Sequence, residues 1–245
     1  MGWRSSTSSP PSRRNDTMTG AAWGLLCLTL LIALADWVAV AADRRPAEYA
    51  LKPATMVALG AVVLALDLPD GQLRWWYLAA IVASLAGDVF LMLPETAMDP
   101  EPAFVAGLGS FLVAHMLYVV GMIILGVSGG ALAVGAAVAL VVIATVGRRV
   151  VIGAKATDRR LFAPVMAYVA VIAVMIATSF GTGIVVGIVG ALLFGLSDSV
   201  IGWTRFLRDF PHSRVLVMVT YHLGQVGLVL ALATACALPL ARTSA

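Results

Sequence analysis

Residues 103–125 read AFVAGLGSFLVAHMLYVVGMIIL, twenty-three positions without one Asp, Glu, Lys or Arg. As an α-helix this stretch rises about 34 Å, enough to cross the roughly 30 Å hydrocarbon core of a bilayer. The same pattern recurs along the chain. Polar, Gly or Pro breaks separate eight apolar runs, at about 20–42, 53–68, 74–93, 103–125, 130–147, 163–179, 182–203 and 215–238. Over its 245 residues the chain is 61% apolar and 12% charged, against the charged share of about 25% usual for soluble proteins. Its mean hydropathy is +0.97. These values exclude a water-soluble globular enzyme and predict an all-α polytopic membrane protein with eight transmembrane helices.

Residues 1–19, rich in Ser, Thr, Arg and Pro, are expected to form a disordered polar tail before a membrane domain at 20–238 and a short C-terminal tail at 239–245. The run Gly20–Val40 imitates a signal peptide, but its length and its Asp36 and Trp37 favour a retained helix. Pro53 and Pro164 are placed at the starts of the second and sixth spans, where a missing N–H does no harm. Trp75, Trp76, Tyr77 and Trp203 are placed at headgroup depth as anchors. Cys27 and Cys236 fall inside apolar runs and read as small hydrophobes. The net charge of +3 would suit an anionic partner, yet the cations sit between spans, so nucleic acid is not expected. Eight spans place eleven of the sixteen Lys and Arg on one side of the membrane. That excess predicts cytoplasmic loops after spans one, three, five and seven, with both termini outside.

The two halves of the chain correspond. Pro53 and Pro164, Asp88 and Asp198, and His115 and Tyr221 lie 111, 110 and 106 residues apart, which suggests two parallel four-helix repeats. Gly183 and Gly187 form a small-x3-small pair suited to close helix packing.

Asp88 and Asp198 fall inside apolar spans, where each costs about 2.5–3.5 kcal/mol on insertion scales. Such groups face a bundle interior or wet cavity and find partners there. Lys52, His115, Tyr221, His222 and Gln225 approach from the same face. Simpler roles stand beside this one: an aspartate near a helix end, Asp36 above all, sits in water at the interface, a lone histidine is structural, and a boundary lysine snorkels to the headgroups. Tyr118 and Tyr221 are expected to be hydrogen-bond donors to these groups. No zinc motif, P-loop, dinucleotide fingerprint or G-x-S-x-G elbow occurs, and Ser197 and Ser199 beside Asp198 do not make a triad. Neither metal nor cofactor is expected.

Taken in order, Lys52-Pro53, SLAGDVFLM (84–92), GLGSFLVAHMLYVVG (107–121), GALLFGLSDSVI (190–201) and VTYHLGQ (219–225) resemble the YhhN-like lysoplasmalogenase family, integral membrane hydrolases that cleave the vinyl ether bond of lysoplasmalogens. The resemblance covers about residues 25–238. It implies eight spans, a lysophospholipid substrate drawn from the membrane, and a fatty aldehyde with glycerophosphocholine or glycerophosphoethanolamine as products. Hydrolysis of an enol ether needs a proton donor for the vinyl carbon and an anion near the resulting oxocarbenium ion. Asp88, Asp198 and His115 are the candidate catalytic residues. Asp198, flanked by hydroxyls, suits the anion, which leaves Asp88 or His115 as donor. Lys52, and after it Arg205, is the candidate partner for the substrate phosphate. Ser84, Tyr118, Ser197, Tyr221 and Gln225 complete the expected substrate-binding set. The alternatives are a proton-coupled transporter of a small molecule or lipid, using the same Asp and His, and a non-catalytic lipid-binding scaffold. No signal for an oligomeric state is present.

Overall fold

The computed structural model describes residues 17–69, 71–93 and 100–237, and every regular element among them is helical. The first four spans are α1 (Gly20–Ala41), α2 (Arg45–Ala65), α3 (Gly71–Met92) and α4 (Pro100–Leu125). The fifth is composite: α5 (Gly129–Val142), a π-helical turn (Ile143–Gly147) and α6 (Arg148–Thr157). A short 3-10 turn leads to α7 (Phe162–Thr182), then α8 (Val185–Phe206) and α9 (Ser213–Ala237). Counted this way, eight helices are long and apolar enough to cross a membrane, as the apolar runs predict. Most of both expected tails lies outside the described residues. Thr17 and Thr19, assigned to the first tail, already make contacts: Thr17 donates to the Ala233 carbonyl, and the Thr19 hydroxyl accepts from the Ala22 N–H to cap α1.

Three boundary expectations are corrected. Helix α2 begins at Arg45 with Pro46 in its first turn, so Pro53 lies inside the helix. The stretch Arg45–Lys52 looks like a loop by hydropathy, but Glu48 and Lys52 are buried against charged partners, which lets the helix extend through them. Tyr77 is no interfacial anchor. It is 1% exposed and packs edge-on against Tyr118, whereas Trp75 is 63% exposed. Successive helical residues point about 100° apart, so an aromatic triplet cannot all face lipid. Gly183 does not share a helix with Gly187: it adopts φ 69° and ends α7 in the left-handed conformation open to glycine.

Close backbone packing occurs instead between α8 and α9. A Cβ on Gly190 would lie 2.8 Å from the Leu228 nitrogen and 2.9 Å from the Gly224 carbonyl oxygen, and one on Gly224 would lie 2.8 Å from the Phe194 nitrogen. Backbone atoms cannot rotate away, so small residues are obligatory at this crossing. Gly190→Ala is therefore expected to destabilise the protein by about 1–3 kcal/mol, visible as a lowered thermal midpoint in detergent. A wild-type midpoint would mean the two helices separate freely.

Packing follows chain order in both halves: α1 on α2 and α3 on α4, then α5 on α7 and α8 on α9, with α4 against α7 joining the halves. Helix α9 is the central post, with 72% of its most apolar window buried. The fifth span is the opposite case, at 11%.

Candidate active site

Two ion pairs lie buried in the half of the bundle nearer the α1–α2, α3–α4 and α8–α9 connections. In the first, Lys52 Nζ of α2 is 3.0 Å from Asp88 Oδ1 of α3, and the Tyr221 hydroxyl of α9 donates to Asp88 Oδ2 at 2.7 Å. In the second, His115 Nε2 of α4 is 3.1 Å from Asp198 Oδ2 of α8. Each aspartate is thus reached by a ring from the other half of the chain. Desolvating four ionisable groups is costly, and only direct pairing of this quality offsets it.

Aromatic rings separate the pairs. The His115 and Phe194 centroids are 4.4 Å apart, Phe194 and Tyr221 5.5 Å, and Phe111 stands edge-on to Tyr221 at 5.7 Å. Asp88 therefore fixes Tyr221, Tyr221 packs on Phe194, and Phe194 walls His115.

The histidine geometry counts protons. His115 Nδ1 lies 2.6 Å from the Phe111 carbonyl oxygen, which can only accept, so Nδ1 carries a hydrogen. Nε2 and Asp198 Oδ2 would then be two facing acceptors unless a hydrogen lies between them. A hydrogen placed between the two atoms would join them as one donor–acceptor pair. Asp88 differs: the Lys52 ammonium lies beside one of its oxygens and the Tyr221 hydroxyl donates to the other.

Beside Asp198 is a narrow, largely apolar slot with a cavity volume of about 60 Å³. It is walled by α3, α4, the fifth span, α7 and α8, through residues such as Leu108, Phe111, Ile143, Ile172 and Gly202. Among the described residues, its polar side chains are those of Asp198, Ser199 and Tyr168. Asp88 does not line it: the ring cluster stands between the two carboxylates. Tyr168 is a slot residue that sequence reasoning missed. Its ring is 5.5 Å from His115 and its hydroxyl faces Asp198. A single phenol among the aliphatic residues of the first half of the sixth span was the available signal.

The remaining expected residues bond one another away from the slot. Tyr118 donates to Gln225, whose amide donates to Ser84 at 2.8 Å, tying α4, α9 and α3 together one turn from Asp88. Ser197 donates to the Val217 carbonyl and joins α8 to α9. Lys52 is 5% exposed and engaged with Asp88, not open to a phosphate. His222 accepts from the Trp37 indole at 3.1 Å and pins α1 to α9. Asp36 is fully buried, so the interfacial reading of it is corrected. Among the described residues no cluster of three or more His, Cys, Asp or Glu is placed to hold a metal.

The family model for the YhhN family matches residues 47–232, which takes in both ion pairs and the slot. The chain belongs to the YhhN family. Among similar proteins, the human protein named Lysoplasmalogenase TMEM86B is 30% identical over 158 residues, 64% of this chain and 63% of the human one. A Mycobacterium bovis protein named Lysoplasmalogenase is 31% identical over 185 residues, 73% of this chain and 67% of that protein. The chain thus spans somewhat less than two thirds of the human relative's length. Both names are those of enzymes, and the transporter alternative finds no counterpart in them. No solved structure matches the chain.

Proposed function

We propose that this integral multi-pass YhhN-family protein hydrolyses the vinyl ether bond of lysoplasmalogens, with His115 and Asp198 supplying the proton. The observation that carries the reading is the facing of His115 Nε2 and Asp198 Oδ2, 3.1 Å apart, with Asp198 at the wall of a largely apolar slot. The names of the relatives agree with it.

The chemistry balances. The pair transfers its proton to the vinyl carbon that bears the fatty chain, leaving neutral imidazole and carboxylate. As the substrate gains a positive charge in the oxocarbenium ion, the pair passes from zero to one negative charge beside it. The two changes compensate in a site walled by hydrocarbon, where electrostatics are strong. Water adds to the oxocarbenium carbon and returns a proton to the pair. The hemiacetal then collapses to a fatty aldehyde and the glycerophospho-alcohol. In this scheme Asp88 and Lys52 are positioning residues that hold the ring wall behind His115. The positive-inside excess supports a cytoplasmic placement of the end of the bundle carrying the site.

Purified protein given a lysoplasmalogen in heavy water is expected to release aldehyde carrying one deuterium at carbon 2, detected by mass spectrometry. The saturated alkyl ether should remain intact. Aldehyde without that deuterium, or cleavage of the alkyl ether, would falsify protonation at carbon.

A further inference from the structure

At the loop end of the slot, Phe104 of α4 and Phe206 of α8 line the cavity and meet edge to face at 5.7 Å. Arg205, beside Phe206, lays its guanidinium 5.0 Å over the Phe104 ring, and its Nη2 lies 3.0 Å from Glu101 Oε1. A cation therefore rests on the last apolar residue of the slot with a carboxylate already on it. Both side chains are substantially exposed, 37% and 51%, and an ion pair so open to water is weak and easily exchanged. Arg205 follows Asp198 by seven residues, two turns of α8, which puts the two on one face about 10 Å apart along the axis. The glycerol unit of a lysolipid, extended by the arginine's own reach, bridges that separation between vinyl ether and phosphate. Lys52, the other cation considered for the phosphate, is buried, bound to Asp88 and absent from the slot.

Resting on the lysoplasmalogen reading above, we propose that Arg205 and Glu101 form an exchangeable latch at the mouth of the slot. The lipid phosphodiester displaces the Glu101 carboxylate from the guanidinium, while the vinyl ether lies at Asp198 and the tail in the apolar wall. A guanidinium suits this exchange because its paired N–H groups match carboxylate and phosphate oxygens alike. The latch gives the slot its preference for a phosphate-bearing amphiphile over a neutral one of the same tail.

Binding of uncleavable probes to the full chain in detergent tests this apart from turnover. The probes are a saturated 1-alkyl-glycerophosphoethanolamine, the corresponding 1-alkylglycerol without phosphate, and inorganic phosphate alone. Arg205→Ala is expected to weaken the phospholipid by about tenfold and leave the alkylglycerol unchanged. Glu101→Gln is expected to tighten the phospholipid by roughly two- to fivefold, because the internal competitor is gone. Opposite effects from the two variants are the signature of exchange. Arg205→Ala that leaves both lipids as in the wild type, or weakens both in parallel, overturns the latch, as does Glu101→Gln that gains nothing. Inorganic phosphate binding as tightly as the phospholipid would make this a free-anion site and remove the lipid assignment. Aldehyde release is read separately: a wild-type chain that releases none loses the vinyl ether reading, while phosphate-dependent binding still decides the latch.

Discussion

Asp198→Asn and His115→Gln are each expected to release aldehyde from a lysoplasmalogen about 100- to 10,000-fold more slowly than the wild-type chain, the range for losing a general acid. The double variant is expected to be no slower than either single one. The reason is the proposed proton sharing: with Nδ1 of His115 directed to the Phe111 carbonyl, the proton the proposal transfers lies between Nε2 and Asp198. Removing either partner removes the whole donor, and groups acting as a unit give strongly non-additive losses. Both substitutions are close in volume and retain hydrogen-bonding capacity, so the variants should insert and elute as folded protein on size exclusion. Single-turnover aldehyde release settles the matter. Losses that multiply in the double variant, or an Asp198→Asn protein with more than a tenth of wild-type activity, would show that the two residues act separately or not at all.

Lys52→Met is expected to destabilise the protein by about 3–5 kcal/mol, because it strands the Asp88 carboxylate in a site with no exposure. Lys52→Met combined with Asp88→Asn is expected to recover most of that loss, since an amide needs no counter-ion and still accepts from the Tyr221 hydroxyl. Chemical unfolding in detergent measures both. The combined variant also separates two roles for Asp88. As a positioning residue it acts through Tyr221 and Phe194 on His115, so turnover per folded molecule should fall less than in Asp198→Asn. An equally large fall in a stable double variant would return Asp88 to the reacting atoms.

The eight spans were legible because hydrocarbon leaves a helix few choices: every backbone group must bond internally, and twenty apolar residues are needed to cross. Helix ends were less legible. Within Arg45–Lys52 the polar side chains of Glu48 and Lys52, which suggest a loop, are buried against Arg214 and Asp88 from distant helices, a compensation invisible in one strand of sequence. The same logic governs the site. Asp88, Asp198, His115, Lys52 and Tyr221 stood out because each is costly in a membrane. Their partition into two separate pairs did not, because it depends on how α4 and α9 cross the opposite halves. The slot left almost no trace, being made of the aliphatic residues that fill every span. The positions of Tyr168 beside Asp198 and of Arg205 over Phe104 are set by the packing alone.

The fifth span forms one wall of the slot and is the least enclosed of the eight, and it passes through its π-helical turn at Ile143–Gly147, where the slot is lined. A π turn holds one residue more than the regular ladder, so small shifts of register there disturb little else. Lipid acyl chains are the surroundings that press on this wall from outside. Width of the slot is therefore expected to follow bilayer thickness and chain order, and the saturated alkyl-ether probe should bind with different affinity in thin, fluid membranes and in thick, ordered ones.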